Sequence, residues 1–521
     1  MDISFLIRQS GARLPRFADS SAAVGFEDDT ALSFAELRER SWRYANGLAA
    51  LGVRHGDRVS LSLFNSIDYW ALYFAITRLG AIVVRVNFRL RGDELAFVLE
   101  DSKSSVFIAE PSVLAEVADR RDALGITHYL SSTNTTDSDW YGGIEQIHSE
   151  DNSEPLLPRP RDTDPAMIMY TSGTTGTPKG VVWTHGNTTW WTAMQQVEWG
   201  FDADSVTMAT GPMYHIGALE NYVLPTLANG GKVVVFGSTG FRISRALEVA
   251  TKTGVTDLLL FPSMLQELAR LSSDEVAGLH RLRRIFTGGD TVSPSVVEAL
   301  STLLPNVELT QVYGLTEGTP IAVSSPPGLA KSRSDLVGVP FPYTEVSIRD
   351  DLGDELPAGA EGEIWTRSPA GSIGYWNRPE ENARTFIDGW CATGDTGLID
   401  STYLKFTGRK KDIIRSGGEN ISPAEVENVL KRHPGILDVA VIGVPHPTLI
   451  ETVCAVVIPH GDAELDEEAV IRFCGENLAG YKKPRVVKFV DELPRTPSQK
   501  VQKFLLRERF SSGKLETNRN S

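Results

Sequence analysis

The sequence predicts an α/β protein whose first two thirds contain largely parallel sheets. Segments with helical spacing alternate there with short apolar runs of strand length, and the pattern changes to short strands and turns only past about residue 340. A serine cap followed by proline at Ser422-Pro423 then opens a new helix. We therefore predict two domains, residues 1–408 and residues 409–521, with the boundary close to Gly408.

The first elements predict a β-α-β unit. A capping box at Ser33-Phe34-Ala35-Glu36 starts a helix that Gly52 ends. Residues 59–63 alternate as a strand, residues 69–79 are apolar and of helix length, and residues 81–86 form a second strand.

The same alternation continues along the chain. Further strands are predicted at residues 231–236, 257–261 and 284–286. The stretch 131–164 is rich in Ser, Thr, Asp and Pro, so we expect it to be a surface connection without a site.

The stretch MYTSGTTGTPKG, residues 169–180, concentrates hydroxyls, glycines and one lysine between two apolar runs. Its flanks predict a strand, a loop and a second strand. Glycine lets backbone N–H groups approach a ligand closely, which favours an anion such as phosphate. Pro178 precedes Lys179 and Gly180 follows it, so the Walker pattern is excluded. A plain polar hairpin loop is the alternative.

Composition excludes several classes of protein. The net charge of −16, with both signs scattered, argues against a nucleic-acid binder. The sequence has no run of about eighteen apolar residues, so we predict no membrane span and no export signal. The three cysteines, Cys391, Cys454 and Cys474, lack metal spacing, which indicates packed side chains in a reducing cytoplasmic compartment.

Several motifs, in one order along nearly the whole chain, resemble the adenylate-forming superfamily of acyl-CoA synthetases, amino-acid adenylation domains and luciferases. The chain is most similar to an AMP-forming acyl-CoA synthetase. The motifs are YTSGTTGTPKG from Tyr170, PMYHIG from Pro212, FTGGD from Phe286, QVYGLTE from Gln311, TGD from Thr393, GRKKDIIRSGGENISPAEVE from Gly408 and PRTPSQK from Pro494. The resemblance implies a large N-terminal body of two α/β sheets plus a small β-barrel, followed by a small mobile α+β C-terminal domain.

The resemblance also implies a reaction in two halves. A carboxylate attacks the α-phosphate of ATP to give an acyl-adenylate and pyrophosphate, and a thiol then displaces AMP. ATP, Mg²⁺ and coenzyme A are the implied cofactors and substrates. Thr316 and Glu317 match the positions that contact the α-phosphate region and hold the metal, and a hard cation beside phosphates often uses only one or two protein carboxylates. The residues that match the cradle of the β- and γ-phosphates are Thr171, Ser172, Gly173, Thr174, Thr175, Gly176 and Lys179.

Further motif positions imply the nucleoside site. Asp395 and Arg409 match the pair at the ribose hydroxyls. The residues that match the adenine pocket are Gly288, Gly289, Asp290, Tyr313 and Gly314. Tyr313 offers the stacking face.

The C-terminal motifs imply a moving domain. Lys500 matches the lysine that bonds the substrate carboxylate and the α-phosphate during adenylation, although Gln499 stands where the family usually has glycine. Lys411 matches the hinge, and Gly417 and Gly418 match a strand that lines the pantetheine tunnel.

The acid site is implied by the segment after Pro212. His215 matches the ring that lies beside the substrate carboxylate in many acyl- and aryl-CoA synthetases. We expect a mostly apolar pocket and a hydrophobic acid rather than an amino acid. We interpret Glu220 as a solvated helix carboxylate. The pocket residues are His215, Ile216, Gly217, Gly314 and Ile321.

Free coenzyme A is the predicted thiol acceptor, because no carrier domain follows Lys500. An acyl-adenylate ligase that loads an acyl-carrier protein in trans is the alternative, and a non-catalytic nucleotide-binding regulator is a third reading. The sequence thus predicts a cytoplasmic ligase of fatty or other carboxylic acid metabolism, with a homodimer left open.

Overall fold

The computed structural model of the chain describes residues 1–8, 22–26, 30–133, 138–171, 178–289, 292–416, 419–461, 465–495 and 501–511. Across these ranges the strands form four sheets with helices around them, and the α/β class is confirmed. Strands are numbered here in chain order.

The largest sheet is parallel through its centre. Its strands are β1 Ala22–Phe26, β2 Ala31–Ser33, β10 Val206–Ala209, β11 Lys232–Val235, β12 Asp257–Leu259, β13 Arg284–Gly288, β14 Glu308–Tyr313, β15 Val323–Ser324 and β16 Val339–Pro340. They lie in the order β16-β15-β14-β13-β12-β10-β11-β1-β2. The pairings from β14 to β1 are parallel, and antiparallel strands close both ends.

The second sheet carries the predicted hairpin. Its strands are β3 Arg58–Ser62, β4 Ile82–Arg85, β5 Val106–Ala109, β6 His128–Ser131, β7 Gly142–Gly143, β8 Pro165–Thr171, β9 Lys179–Thr184 and β19 Gly374–Tyr375. The strands β3 to β8 pair in parallel, whereas β9 runs antiparallel to both β8 and β19. The two strands predicted on either side of the hydroxyl-rich stretch are confirmed, whereas residues 172–177 lie outside the described residues.

A third, antiparallel sheet follows in the part of the chain with short strands. Its strands are β17 Glu345–Arg349, β18 Gly362–Arg367, β20 Phe386–Ile387, β21 Trp390–Asp400 and β22 Tyr403–Arg409. They pair in the order β17-β18-β21-β20, and β22 also pairs with β21. The small β-barrel that the resemblance implies is not confirmed, because the strand pairings of this sheet among the described residues do not show it closing on itself.

The fourth sheet belongs to the last part of the chain. Its strands are β23 Ile414–Ser416, β24 Glu419–Ile421, β25 Ile436–His446, β26 Ile450–Pro459 and β27 Val486–Phe489. Two clusters of buried apolar side chains at this sheet contain only residues from Ile414 onward. The division near residue 409 stays a prediction.

The helices lie between and outside the sheets. Their bounds are Phe34–Ala50, Ile67–Arg78, Gly92–Ser102, Pro111–Ala115, His185–Trp199, Ile216–Leu219, Val223–Ala228, Ile243–Thr253, Pro262–Leu268, Ser273–Val276, Pro294–Leu303, Leu329–Ser332, Pro379–Thr385, Pro423–Leu430, Glu467–Asn477 and Lys503–Ser511. The capping box predicted at Ser33 and Glu36 is present at the start of the first of these. No helix in the described ranges is both long enough and apolar enough to span a bilayer.

The two larger sheets share one core. Val83 of β4 and Val233 of β11 lie in the same cluster, and every residue from Tyr69 to Arg78 of the helix between β3 and β4 is buried. The continuous apolar sequence of this helix therefore reflects burial on all sides.

The stretch 131–164 was expected to be only a surface connection, and this prediction is wrong in part. It contains β7 and a short 3₁₀ helix, Ile144–Ile147, whose two isoleucines are buried. Two isoleucines spaced by three residues bring one apolar edge of the turn against the helix Phe34–Ala50.

Candidate active site

The candidate site lies where the carboxyl ends of the two larger sheets meet. In the first sheet β10, β13 and β14 are parallel, so Ala209, Gly288 and Tyr313 end on one edge. In the second sheet β8 ends at Thr171. The hydroxyl of Thr171 donates a hydrogen bond of 2.8 Å to Oε1 of Glu317, which follows β14. This contact joins the two edges, and such crevices are where open α/β sheets bind ligands.

The mouth of the β8–β9 hairpin brings several predicted residues together. Thr171 lies opposite Lys179 in the antiparallel register. The Nζ atom of Lys179 lies 5.3 Å from the ring centroid of Tyr375, and the Tyr375 hydroxyl donates to Oε1 of Glu317 at 3.5 Å. A cation and a carboxylate thus flank one tyrosine at the open end of the hairpin.

Tyr375 was missed by the sequence reasoning. It reaches the hairpin because β19, a strand of only Gly374–Tyr375, pairs with β9. Burial and the negative charge of Glu317 raise the pKa of Tyr375, so its hydroxyl keeps its proton and donates. The signal available in the sequence was the glycine-aromatic pair alone, which is too short to predict a strand.

The backbone that carries Thr316 and Glu317 is held on both sides. The indole Nε1–H of Trp183 on β9 donates to the carbonyl of Thr316 at 3.0 Å. The hydroxyl of Ser372 donates to the carbonyl of Glu317 at 2.5 Å. The carboxylate of Glu317 therefore starts from a fixed backbone position.

A second group forms at the junction of β14, β21 and β22. The hydroxyl of Tyr313 donates to Oδ2 of Asp395 at 2.9 Å, and Nε of Arg409 lies 3.4 Å from Oδ1. Asp395 and Arg409 are partners in the β21–β22 register. Burial and the charge of Asp395 raise the pKa of Tyr313 well above its ordinary value. The structure thus brings together the three residues predicted for the ribose and for stacking on the adenine.

Two predicted glycines lie where a side chain would not fit. A Cβ atom added at Gly288 would lie 2.6 Å from the carbonyl oxygen of Val312, so β13 could not stay against β14. A Cβ atom added at Gly314 would lie 2.3 Å from the carbonyl oxygen of Pro320. Gly289 follows directly after β13. Glycine is therefore required at positions 288 and 314 by the close packing of the protein's own backbone next to Tyr313.

His215 lies at the start of a short turn. It occupies the N-cap position of the helix Ile216–Leu219, and its ring centroid is 4.8 Å from that of Tyr214. Ile216 and Ile321 belong to the same buried cluster, whereas a Cβ atom added at Gly217 would meet no atom within 4 Å. The predicted pocket residues thus combine apolar walls with open space at Gly217.

The interpretation of Glu220 as a solvated carboxylate is wrong. Its side chain is fully buried and forms an ion pair with Arg85 of β4, with Nη1 at 2.6 Å from Oε1 and 2.5 Å from Oε2. Burial by itself lowers the pKa of Arg85, but the charge and hydrogen bond of Glu220 together with the neighbouring Tyr69 and Tyr73 raise it overall. The missed signal was the arginine inside the apolar run of β4, because a buried charge requires a partner.

Several predicted residues lie outside the described ranges. They are Ser172, Gly173, Thr174, Thr175, Gly176, Asp290, Gly417, Gly418 and Lys500. The predicted hinge residue Lys411 is described, and it lies in the 3₁₀ turn Lys410–Asp412 directly after β22. The three cysteines are buried and unpaired with one another, as expected for packed side chains.

Comparison with known families and structures agrees with this arrangement. Residues 12–376 match the family model of the AMP-binding enzyme, and residues 425–500 match that of the AMP-binding enzyme C-terminal domain. The chain therefore belongs to the AMP-binding enzyme family, and it is an enzyme of the adenylate-forming acyl-CoA ligase class.

Named relatives act on acids of different kinds. A feruloyl-CoA synthase from Amycolatopsis sp is 37% identical over 482 residues, which cover 92% of this chain and 94% of the relative. The long-chain-fatty-acid–CoA ligase FadD13 from Mycobacterium tuberculosis is 33% identical over 530 residues, covering 98% and 99%. Among solved structures, the anthranilate CoA ligase AuaEII with anthranoyl-AMP aligns with a TM-score of 0.89 and 26% identity over 98% of each chain.

Proposed function

We propose that the protein joins a hydrophobic carboxylic acid, most closely an aromatic one, to coenzyme A in an ATP-dependent, AMP-forming reaction. In the first half-reaction a carboxylate oxygen of the acid attacks the α-phosphorus of ATP, and pyrophosphate leaves. In the second, the sulfur of coenzyme A attacks the acyl carbonyl carbon, and AMP leaves. The observation that carries the proposal is the Thr171–Glu317 hydrogen bond, which unites the hairpin mouth with the end of β14.

The hairpin mouth supports a role in holding the departing diphosphate. Lys179 supplies a cation and Thr171 a hydroxyl, and both start from paired strand positions. Preorganised donors of this kind stabilise charge that develops in a transition state. Lys179 and Thr171 would bind the β- and γ-phosphates, together with the loop between them.

Glu317 would hold Mg²⁺. The described residues contain no group of three or more His, Cys, Asp or Glu side chains that could hold a metal ion, so a cation at Glu317 would take most of its oxygen ligands from phosphates and water. One carboxylate next to the Thr171 hydroxyl fits that pattern. When bound, the metal would neutralise negative charge on the phosphates.

The acid site supports a hydrophobic substrate. Ile216 and Ile321 are apolar, and Gly217 leaves space beside them. Glu220 is neutralised by Arg85, so it offers no charge to select a cationic acid. The feruloyl-CoA synthase and the anthranilate CoA ligase that resemble this chain support an aromatic acid, with His215 beside its carboxylate.

The proposal is tested by measuring products from ATP with a panel of aromatic and aliphatic acids, with and without coenzyme A. We expect AMP, pyrophosphate and an acyl-CoA with an aromatic acid, and a loss of about 10²-fold or more in Glu317→Gln. Glu298→Gln, an exposed carboxylate on the helix Pro294–Leu303, is the matched control.

Other results of this experiment would contradict the proposal or favour one of the alternative functions. Formation of ADP instead of AMP would contradict the proposal, and so would the absence of pyrophosphate with every acid, which would favour a regulator. Turnover only when a phosphopantetheinylated carrier protein replaces coenzyme A would assign the carrier-loading alternative.

A further inference from the structure

The guanidinium of Arg85 contacts both ends of the turn that carries His215. Its Nη2 atom donates to the carbonyl of His215 at 2.8 Å and also to the carbonyl of Met213. Its Nη1 atom donates to both carboxylate oxygens of Glu220, which follows the helix Ile216–Leu219. One rigid, planar group thus joins the entry of the turn to its exit.

The backbone positions of Arg85 and Glu220 are both held by hydrogen bonds to neighbouring elements. Arg85 ends β4, which pairs with β3 on one side and with β8 on the other. Glu220 is fixed separately, because Nε2 of Gln195 donates to its backbone carbonyl at 3.0 Å. The side chains of Arg85 and Glu220 both have 0% exposure, so solvent does not screen their attraction.

A buried ion pair contributes little net free energy to the stability of a fold. Desolvation of two charges costs free energy, and apolar residues of similar volume are often as stable or more stable. An arginine fork, however, fixes orientation through several directed hydrogen bonds at once. The arrangement therefore favours a role in geometry.

We propose that Arg85 and Glu220 are positioning residues that hold the Met213–Glu220 turn, and with it the imidazole of His215, in the orientation needed for acid activation. This inference rests on the proposed function, in which His215 lies beside the substrate carboxylate. Neither side chain would touch the substrate. Both act through the backbone of the turn.

The test separates positioning from stability with paired variants. Arg85→Met alone leaves a buried carboxylate without its cationic partner, so we expect a lower unfolding midpoint. The double variant Arg85→Met/Glu220→Leu removes both charges at similar volume and should regain most of the midpoint, with a residual loss because the carbonyls of Met213 and His215 no longer receive the Arg85 donor. We nevertheless expect its kcat for acid-dependent pyrophosphate release to fall by about 10²-fold, the scale for a group misplaced by about 1 Å. The KM for ATP should stay close to that of the wild type.

A double-mutant cycle with His215 distinguishes positioning of the imidazole from a purely structural role, because only positioning makes the effect on kcat depend on His215. In the His215→Ala background, the Arg85→Met/Glu220→Leu change should alter kcat by no more than about twofold, because the effect passes through the imidazole. Arg85→Lys keeps the charge but cannot reproduce the fork, so it should fold and still lose about tenfold in kcat.

Clear results would overturn the inference. They are an unchanged kcat in the stable double variant or in Arg85→Lys, a loss that multiplies with that of His215→Ala, or an equal rise in the KM for ATP. Pyrophosphate release by the wild type tests the proposed function. The ratio of the variant kcat to the wild-type kcat tests the positioning role of Arg85 and Glu220. The two can therefore fail separately.

Discussion

At the scale of single residues, Asp395 divides its two carboxylate oxygens between neighbours of different character. Tyr313 donates to one oxygen and Arg409 lies beside the other. The carboxylate lies on β21 opposite Arg409 of β22 and its side chain is only 11% exposed, but an ionised carboxylate offers about four lone-pair sites in all. Asp395 is therefore held in orientation while it can still accept hydrogen bonds from the two hydroxyls of a ribose.

We predict that Asp395→Asn raises the KM for ATP by about 10- to 100-fold, because the variant loses a charge-assisted acceptor and gains a donor. Steady-state kinetics at saturating acid and coenzyme A measure this change. Asp400→Asn on the same strand is the matched control, since Asp400 pairs with Arg333 at the surface. An equal effect in both variants would contradict the ribose assignment.

The role of Lys500 stays a prediction. We expect Lys500→Ala to reduce adenylation by about 10²- to 10³-fold, the scale for one preorganised donor, while transfer from preformed acyl-adenylate is spared. Pyrophosphate exchange and the consumption of synthetic acyl-adenylate measure the two halves. Lys488→Ala, an exposed lysine on β27, is the control. Equal losses in both half-reactions would reject the assignment.

At the scale of elements, the start of the helix His185–Trp199 is joined to the beginning of the chain. The backbone N–H of Ile3 donates to Nδ1 of His185 at 3.1 Å, and His185 is fully buried. Burial lowers the pKa of His185 from 6.5 to about 4, although the charges of Asp2 and Asp164 oppose this shift. The neutral ring is thus the form that fits, because only an unprotonated Nδ1 can accept from Ile3.

This burial predicts a dependence of stability on pH. Between pH 6.5 and about 4 the unfolded chain binds a proton at His185 that the folded chain does not, so stability falls as the pH falls. From pH 7 to pH 5 the loss from this group is about 2 kcal/mol. His185→Gln should lose less stability over that range in urea unfolding. The exposed His280→Gln should keep the wild-type slope, and an unchanged slope in His185→Gln would contradict the prediction.

Elements with local signals were predicted well. The capping box at Ser33 and the strands β8 and β9 depend on neighbours within a few residues, so the sequence contains their cause. β19 depends instead on β9, which is far away in the chain. A two-residue strand has no hydrophobic period of its own, and sequence patterns therefore miss it.

At the scale of the whole molecule, the predicted hinge region contacts both parts of the chain. Lys410 pairs with Glu363 of β18 at 2.9 Å, whereas Asp412 pairs with Arg507 of the last helix at 2.9 Å. Lys411 lies between these two ion pairs. A rotation of the backbone there would change how the last part of the chain is placed against the first.

We predict that Lys411→Pro slows thioester formation more than adenylation, because proline fixes φ and restricts the residue before it. Single-turnover measurements of acyl-adenylate and acyl-CoA formation resolve the two steps. Lys411→Ala removes the same side chain but leaves the backbone free, so it should retain both rates. Thioester formation at the wild-type rate in Lys411→Pro would refute the hinge.

The sequence by itself determined the alternation of helices and strands, the capping residues and the motif positions, because these depend on local periodicity and on residue type. Only the tertiary structure decided that Glu220 is buried against Arg85, 135 residues away, and that Tyr375 reaches Glu317. Those contacts exist because two sheets bring their carboxyl edges together. A carboxylate at the end of a short helix has the same local sequence whether water or an arginine from a distant strand lies beside it, so only the packing of the sheets decides whether it is buried.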